Sequence, residues 1–190
     1  MAKVTAKLTG NAPLLEHNGR LANPLGYHAE ELKKISGKRK KTEADHMEMA
    51  RIEFDGGLYV NAKGQYIIPS EMIEACLKYA GRTCKSGKKV QAGLYCLEDP
   101  ILEFKDSDKT PAELWESGEY HLSVMVKVNQ VQVRRTRPMF KEWECTVTVT
   151  FSETILSESE VIELFNIAGD QIGLGDWRPK YGRFTVEIIK

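Results

Sequence analysis

The chain opens on strict alternation. Val4, Ala6 and Leu8 are interleaved with Lys3, Thr5 and Lys7, a period of two that predicts a half-buried strand over residues 2–9. Gly10-Asn11-Ala12-Pro13 ends it, and the Gly/Asn/Pro-dotted stretch that follows reads as a structured loop. His28 to Ile35 is helical in composition and is broken by Ser36-Gly37. Thr42, followed by acids at 43 and 45, opens a second helix that Asp55-Gly56-Gly57 stops. Leu58–Val60 and Tyr66–Ile68 flank Asn61-Ala62-Lys63-Gly64 as a hairpin. Met72, Ile73, Cys76, Leu77 and Ala80 fall at helical spacing between Ser70 and Gly81, which predicts a helix over 70–81. Val90–Leu97 and Ile101–Phe104 read as strands. Thr110-Pro111-Ala112-Glu113 is a capping box that starts a short helix to Trp115.

The last third carries the clearest pattern. Leu122, Val124, Val126 and Val128 alternate with His121, Ser123, Met125 and Lys127. Trp143, Cys145, Val147, Val149 and Phe151 repeat the period after an arm that ends near Pro138. Ser157 and Glu160 form another capping box before the apolar positions Val161, Ile162, Leu164, Phe165 and Ala168. Phe184, Val186 and Ile188 share one face of a closing strand. In order these are strand 2–9, helix 70–81, strand 119–128, strand 143–151, helix 157–172 and strand 183–189. The β-α-β-β-α-β order predicts an α+β chain with a ferredoxin-like palm. It is read as one domain over residues 1–190, with the palm at about 1–9, 69–81, 119–128 and 143–190. Residues 10–68 and 82–118 are then insertions, and 129–142 is a β-arm or thumb between the two middle strands.

Composition narrows the function classes. With 42% apolar and 28% charged residues the chain is globular rather than disordered. No apolar run approaches the ~18–20 residues of a membrane helix, and Met1–Gly10 is no signal peptide, so no membrane partner is expected. Cys76, Cys84, Cys96 and Cys145 contain no C-x-x-C and read as reduced thiols. The four histidines form no metal-ligand spacing, and no Gly-x-Ser-x-Gly or cofactor motif occurs, so the chain is expected to be non-enzymatic, without metal or cofactor. The weaker alternative, a metal-independent ribonuclease, would use a histidine of the 17–28 loop beside Arg20.

Charge changes the picture most. The 27 Lys+Arg balance 27 Asp+Glu, which excludes a histone-like polycation. Along the chain, however, the signs separate. Lys33, Lys34, Lys38, Arg39, Lys40 and Lys41 form one basic cluster. Arg134, Arg135 and Arg137 form a second, in a segment from 127 to 141 with five cations and no acid. Alternation sets Arg135 and Arg137 on one face and Arg134 on the other. The third lies in Gly173–Arg183, where Arg178, Lys180 and Arg183 accompany Trp177 and Tyr181 among three glycines. Rings for stacking and cations for phosphates suit single-stranded nucleic acid. Residues 153–170 hold Glu153, Glu158, Glu160, Glu163 and Asp170 with no Lys or Arg, an acidic face opposed to the basic ones.

The helix, glycine loop and Gly-Arg-Phe strand at the end resemble the RAMP superfamily of CRISPR-associated RNA-binding proteins. The loop Gly173-Leu174-Gly175-Asp176-Trp177-Arg178-Pro179-Lys180-Tyr181-Gly182-Arg183 stands where those proteins carry theirs. Lys7-Leu8-Thr9-Gly10-Asn11-Ala12-Pro13-Leu14-Leu15 resembles the first strand and turn of their RNA-coating backbone subunits. The chain is also similar to an uncharacterised group of phage and prophage proteins, on His17–Leu25, Ser36–His46 and Gly173–Pro179. The resemblance implies a phage-encoded, cytoplasmic protein that coats single-stranded RNA or DNA and self-associates along the strand. The residues expected to hold the strand are Arg20, Lys38, Arg39, Lys40, Lys41, Arg134, Arg135, Arg137, Trp177, Arg178, Lys180, Tyr181 and Arg183. The rival expectation is an interaction module, a mimic of a CRISPR subunit that binds a host complex.

Overall fold

The computed structural model describes residues 1–189. In chain order the elements are β1 (Ala2–Gly10), β2 (Leu14–Leu15), α1 (Tyr27–Ser36), α2 (Glu43–Gly57), α3 (Ser70–Thr83), α4 (Gly87–Gly93), β3 (Leu94–Tyr95), α5 (Pro111–Ser117), β4 (His121–Val128), β5 (Val131–Phe140), β6 (Glu144–Phe151), α6 (Glu158–Ile167) and β7 (Phe184–Ile189). Helices and two antiparallel sheets make the chain α+β. The chain divides into two compact units. The first holds residues 1–15, 60–107 and 141–190, and the second 16–59 and 108–140.

In the first unit a four-stranded sheet runs in the order β3-β6-β1-β7, with antiparallel neighbours throughout. Alternation sets its two faces. Val4, Ala6 and Leu8 of β1, with Cys145, Val147, Val149 and Phe151 of β6, are buried. On the opposite face Thr5 bonds Thr148 at 2.9 Å, and Thr146 and Thr148 are exposed. The core is completed by Ile73, Cys76, Leu77 and Ala80 of α3 and Val161, Leu164 and Phe165 of α6. Each such large apolar side chain contributes about 1.5–3 kcal/mol by leaving water. The capping box of α6 is formed, because Ser157 accepts from the Glu160 amide while the Glu160 carboxylate accepts from the Ser157 amide.

The second unit is built from α1, α2, α5 and the β4–β5 hairpin. Asn129 and Gln130 take φ of +46° and +70°, the twist of a two-residue turn that favours immediate antiparallel pairing. Val128 therefore faces Val131, and the ladder continues to His121 opposite Pro138. Phe54, Trp115 and His121 form an aromatic cluster, with the Trp115 and His121 rings stacked at 4.5 Å. Arg20 caps the end of α2 by donating to the carbonyls of Gly56 (2.9 Å) and Asp55.

Glu16 is a buried carboxyl in this unit. It accepts from the Tyr59 amide at 3.0 Å, but its burial pushes its pKa well above the ordinary glutamate range, against the pull of that bond and of Arg20. At about pH 4.3 the unfolded chain begins to release this proton while the folded chain keeps it. Stability contributed by the protonated form is therefore lost as pH rises from there through the folded pKa. Glu16→Gln should remove that slope. Urea unfolding from pH 4.5 to 8 should show the variant gaining on the wild type as pH rises, and a pH-independent difference would contradict this.

Several sequence expectations need correction. The strand expected at 119–128 within the palm pairs with β5 instead, because the tight turn at 129–130 closes the nearest partner onto it. The thumb arm expected at 129–142 is the other half of that hairpin. The first half of the strand expected at 90–97 is helix α4, with Val90 buried beside Gly81 and the flanking Lys88, Lys89, Gln91 and Ala92 exposed. Only Leu94–Tyr95 remains as strand, and it pairs with Phe151 and Thr150. The hairpin at 58–68 reduces to the single bridge Val60–Tyr66 around the Asn61–Gln65 turn.

Candidate nucleic-acid interface

In the second unit the chain brings parts of two basic clusters together. A groove of about 510 Å³ lies between α2 and the hairpin. Met49, Ala50, Met125 and Val133 give it an apolar lining, and Lys41, Arg134 and Arg135 supply its cations. The positions are set by ordinary local rules. Thr42 and Asp45 form the capping box that starts α2, and Lys41 stands directly before it. The ladder then carries Arg134 and Arg135 past the same helix, held by Glu53. One Glu53 carboxylate oxygen accepts from Arg135 Nη1 and the other from the Thr136 amide, both at 2.7 Å. Glu53 is only 5% exposed.

These cations differ in how committed they are. Arg135 is paired with Glu53, and Lys38 with Asp45. The Lys38 ammonium and the Thr42 amide hold the Asp45 carboxyl down at about 2. Arg39, Lys40 and Arg134 are exposed. Burial, and then the positive charge of Arg134, keep His121 below its usual pKa. Arg137 is placed differently from these. It is 9% exposed, and its Nη1 donates to the Thr136 carbonyl at 3.2 Å, because the inner half of β5 turns into the core at Thr136–Pro138. Arg20 is exposed and donates to the α2 carbonyls of Gly56 and Asp55.

In the first unit the glycine loop is stapled at both ends. The Leu174 amide donates to the Gly182 carbonyl, the Gly182 amide to Pro13 and the Asp176 amide to Leu15, each at 2.8 Å. Gly175 and Gly182 have φ of +74° and +72°. A Cβ on them would lie 2.1 Å from the Leu15 carbonyl oxygen and 1.8 Å from that of Leu174. The glycines thus admit the chain's own backbone, rather than a ligand. The side chains they present are half-buried Trp177 and Tyr181, 6.1 Å apart and tilted by 57°, and exposed Arg178, Lys180 and Arg183. Lys180 lies 5.5 Å over the Tyr181 ring, and Arg183 donates to the Asp170 carbonyl at 3.3 Å.

Two residues of α3 next to this loop escaped the sequence reading. Tyr79 is exposed, off the apolar stripe of its helix, and Arg82 stands one turn on. An aromatic ring off the core face with a cation at i+3 was the signal available. His28 also has a partner that its sequence neighbours did not indicate, because its Nε2 is 2.9 Å from the Asp55 carboxylate.

Chemistry of other kinds is thinly represented. Burial pushes the Cys76 and Cys145 thiols up to about 12 and Cys96 to about 11, so these are inert core thiols. Among the described residues no three His, Cys, Asp or Glu side chains cluster to hold a metal ion, and no helix is long and apolar enough to cross a membrane. No family model matches the chain, and no curated protein matches it.

Proposed function

We propose that the chain is a non-enzymatic, cytoplasmic single-stranded nucleic-acid-binding protein of RAMP-like type, phage-encoded, that coats RNA or single-stranded DNA and self-associates along the strand. The observation that carries the reading is the groove of the second unit, where Lys41 and Arg134, distant in sequence, line one apolar cleft. Cations at the rim suit phosphates, and a Met/Val lining suits bases that have left water. Supporting the palm is the chain order β1, α3, β3, β6, α6, β7 with lateral order β3-β6-β1-β7, the split βαβ pattern with Leu94–Tyr95 in the second strand's place.

The test is oligonucleotide binding across a salt series. Lys41 and Arg134 of the groove, with exposed Arg39 and Lys40 just before Lys41 in the chain, have no acidic partner within ion-pair distance among the described residues, which gives an expected log–log slope of roughly −3 for four phosphates at about −0.7 each on a single strand. Arg134→Gln with Lys41→Gln should flatten the slope by about half of that. Absence of binding at low salt removes the reading.

A second reading is favoured by the exposed acids Glu158 and Glu163 on α6, whose neighbour Glu160 accepts from Ser157 and has Lys89 3.9 Å away. An acidic face of this kind suits an interaction module that mimics a CRISPR subunit and docks on a host complex. It is expected to co-purify with that complex and to leave oligonucleotides unbound.

A further inference from the structure

We infer that Tyr79 and Arg82 of α3, together with Arg178 and Trp177 of the glycine loop, form a subsite for one unstacked nucleotide of a single strand. The inference rests on the nucleic-acid-binding reading above, and it adds a substrate class and two residues to it.

Three observations converge on this place in the first unit. The guanidinium of Arg82 lies 4.8 Å from the centre of the Tyr79 ring and that of Arg178 lies 5.4 Å from it. Two like charges are therefore gathered on one phenol ring, and neither guanidinium has an acidic partner within ion-pair distance among the described residues. The ring's π face offsets part of their mutual repulsion, and an anion shared between them would offset the rest. A shallow cavity of about 480 Å³ opens beside them, lined by Tyr79, Trp177, Arg178 and Gln171. Its size suits one nucleotide better than a folded polymer segment. Finally, Tyr79 meets solvent beside this cavity, since it is 42% exposed although it is a large aromatic.

The geometry assigns separate tasks. Arg82 and Arg178 take a phosphodiester as charge-assisted donors. The ring surfaces of Tyr79 and Trp177 take a base. A base inside a duplex has both faces covered by its neighbours, so the subsite selects single strands. The backbone staples at Leu174, Asp176 and Gly182 hold the loop in shape before any ligand arrives, which lowers the ordering cost of binding. The open face of the sheet, by contrast, displays Thr5, Thr146 and Thr148 from its two central strands and gives a base little to stack on.

The experiment is fluorescence anisotropy of labelled dT12, rU12 and a matching duplex with the full chain, alongside Tyr79→Ala, Tyr79→Phe and Arg82→Gln. Tyr79→Ala should weaken single-strand binding by about 5- to 100-fold, the range of base–aromatic stacking, and Tyr79→Phe should stay close to the wild type. Arg82→Gln should lower affinity and reduce the magnitude of the salt slope by about 0.7. Each variant is first shown to melt like the wild type. A wild type that binds single strands while Tyr79→Ala and Arg82→Gln bind equally well overturns the subsite and leaves the general reading standing. Equal affinity for the duplex overturns the stacking role. A wild type that binds none of the three ligands overturns both.

Discussion

Gly182→Ala should destabilise the first unit by about 3–5 kcal/mol, among the larger effects a single methyl can have. Two costs add. A φ of +72° is a conformation that L residues adopt only at about 1–2 kcal/mol. The added Cβ would also fall 1.8 Å from the Leu174 carbonyl oxygen and 2.7 Å from its carbon. These are backbone atoms, so relief requires breaking the staple formed by the Leu174 amide to the Gly182 carbonyl and by the Gly182 amide to Pro13. Gly64→Ala is the control within the same unit. It has φ of +80° and nothing within 4 Å of the new methyl, so it should cost only about 1–2 kcal/mol. Urea unfolding of the two variants separates packing from conformation. Equal losses would mean that the loop can shift to accommodate the methyl and is not the rigid presenter described above.

That pair of glycines also locates the limit of what the sequence could tell. Three glycines in a short loop with Trp, Tyr and cations do not say in the sequence what the glycines make room for. In the structure the space at Gly175 and Gly182 is filled by the carbonyls of Leu15 and Leu174. Local composition cannot separate these cases, because the neighbour that needs the space is remote in the chain. Local rules, by contrast, were legible. The cap at Thr42 and the capping boxes at Thr110 and Ser157 all form, since each needs only residues within one turn. The strands at 2–10, 121–128, 144–151 and 184–189 follow their alternation. Which strand pairs with which did not follow. Residues 121–128 have an equally good pattern for either sheet, and the turn at 129–130 decided. Leu94–Tyr95 is too short to show any period, although it fills an edge of the four-stranded sheet. Among the candidate residues, the charge runs that hold Lys41 and Arg134 were legible, but not that the two line one groove. The burial of Arg137 was not legible, because β5 passes from exposed at Arg134 to buried at Thr136 within two residues. Glu53 was invisible as a partner, since its bonds run to residues 82 and 83 positions away.

Glu53 should therefore be the second unit's most sensitive charged residue, and its variants should move stability and binding in opposite directions. Glu53→Ala leaves the buried Thr136 amide without its acceptor, a loss of about 1–3 kcal/mol. It also strips Arg135 of its carboxylate, and Arg135 is one-third exposed, so solvent discounts that part to about 1 kcal/mol. Together about 2–4 kcal/mol is expected from urea unfolding. Glu53→Gln is milder, because its amide oxygen can still accept from Thr136 while the charge on Arg135 goes uncompensated. The cation then belongs to the groove that Lys41 and Arg134 already line. If phosphates occupy this groove, Glu53→Gln should bind single strands more tightly than the wild type at low salt. Its salt slope should also steepen by about 0.7, one further phosphate contact. The double variant Glu53→Gln with Arg135→Gln should return the slope to the wild-type value. A Glu53→Gln protein that is less stable and binds no differently would mean that Arg135 serves the fold alone and that the strand does not run past β5.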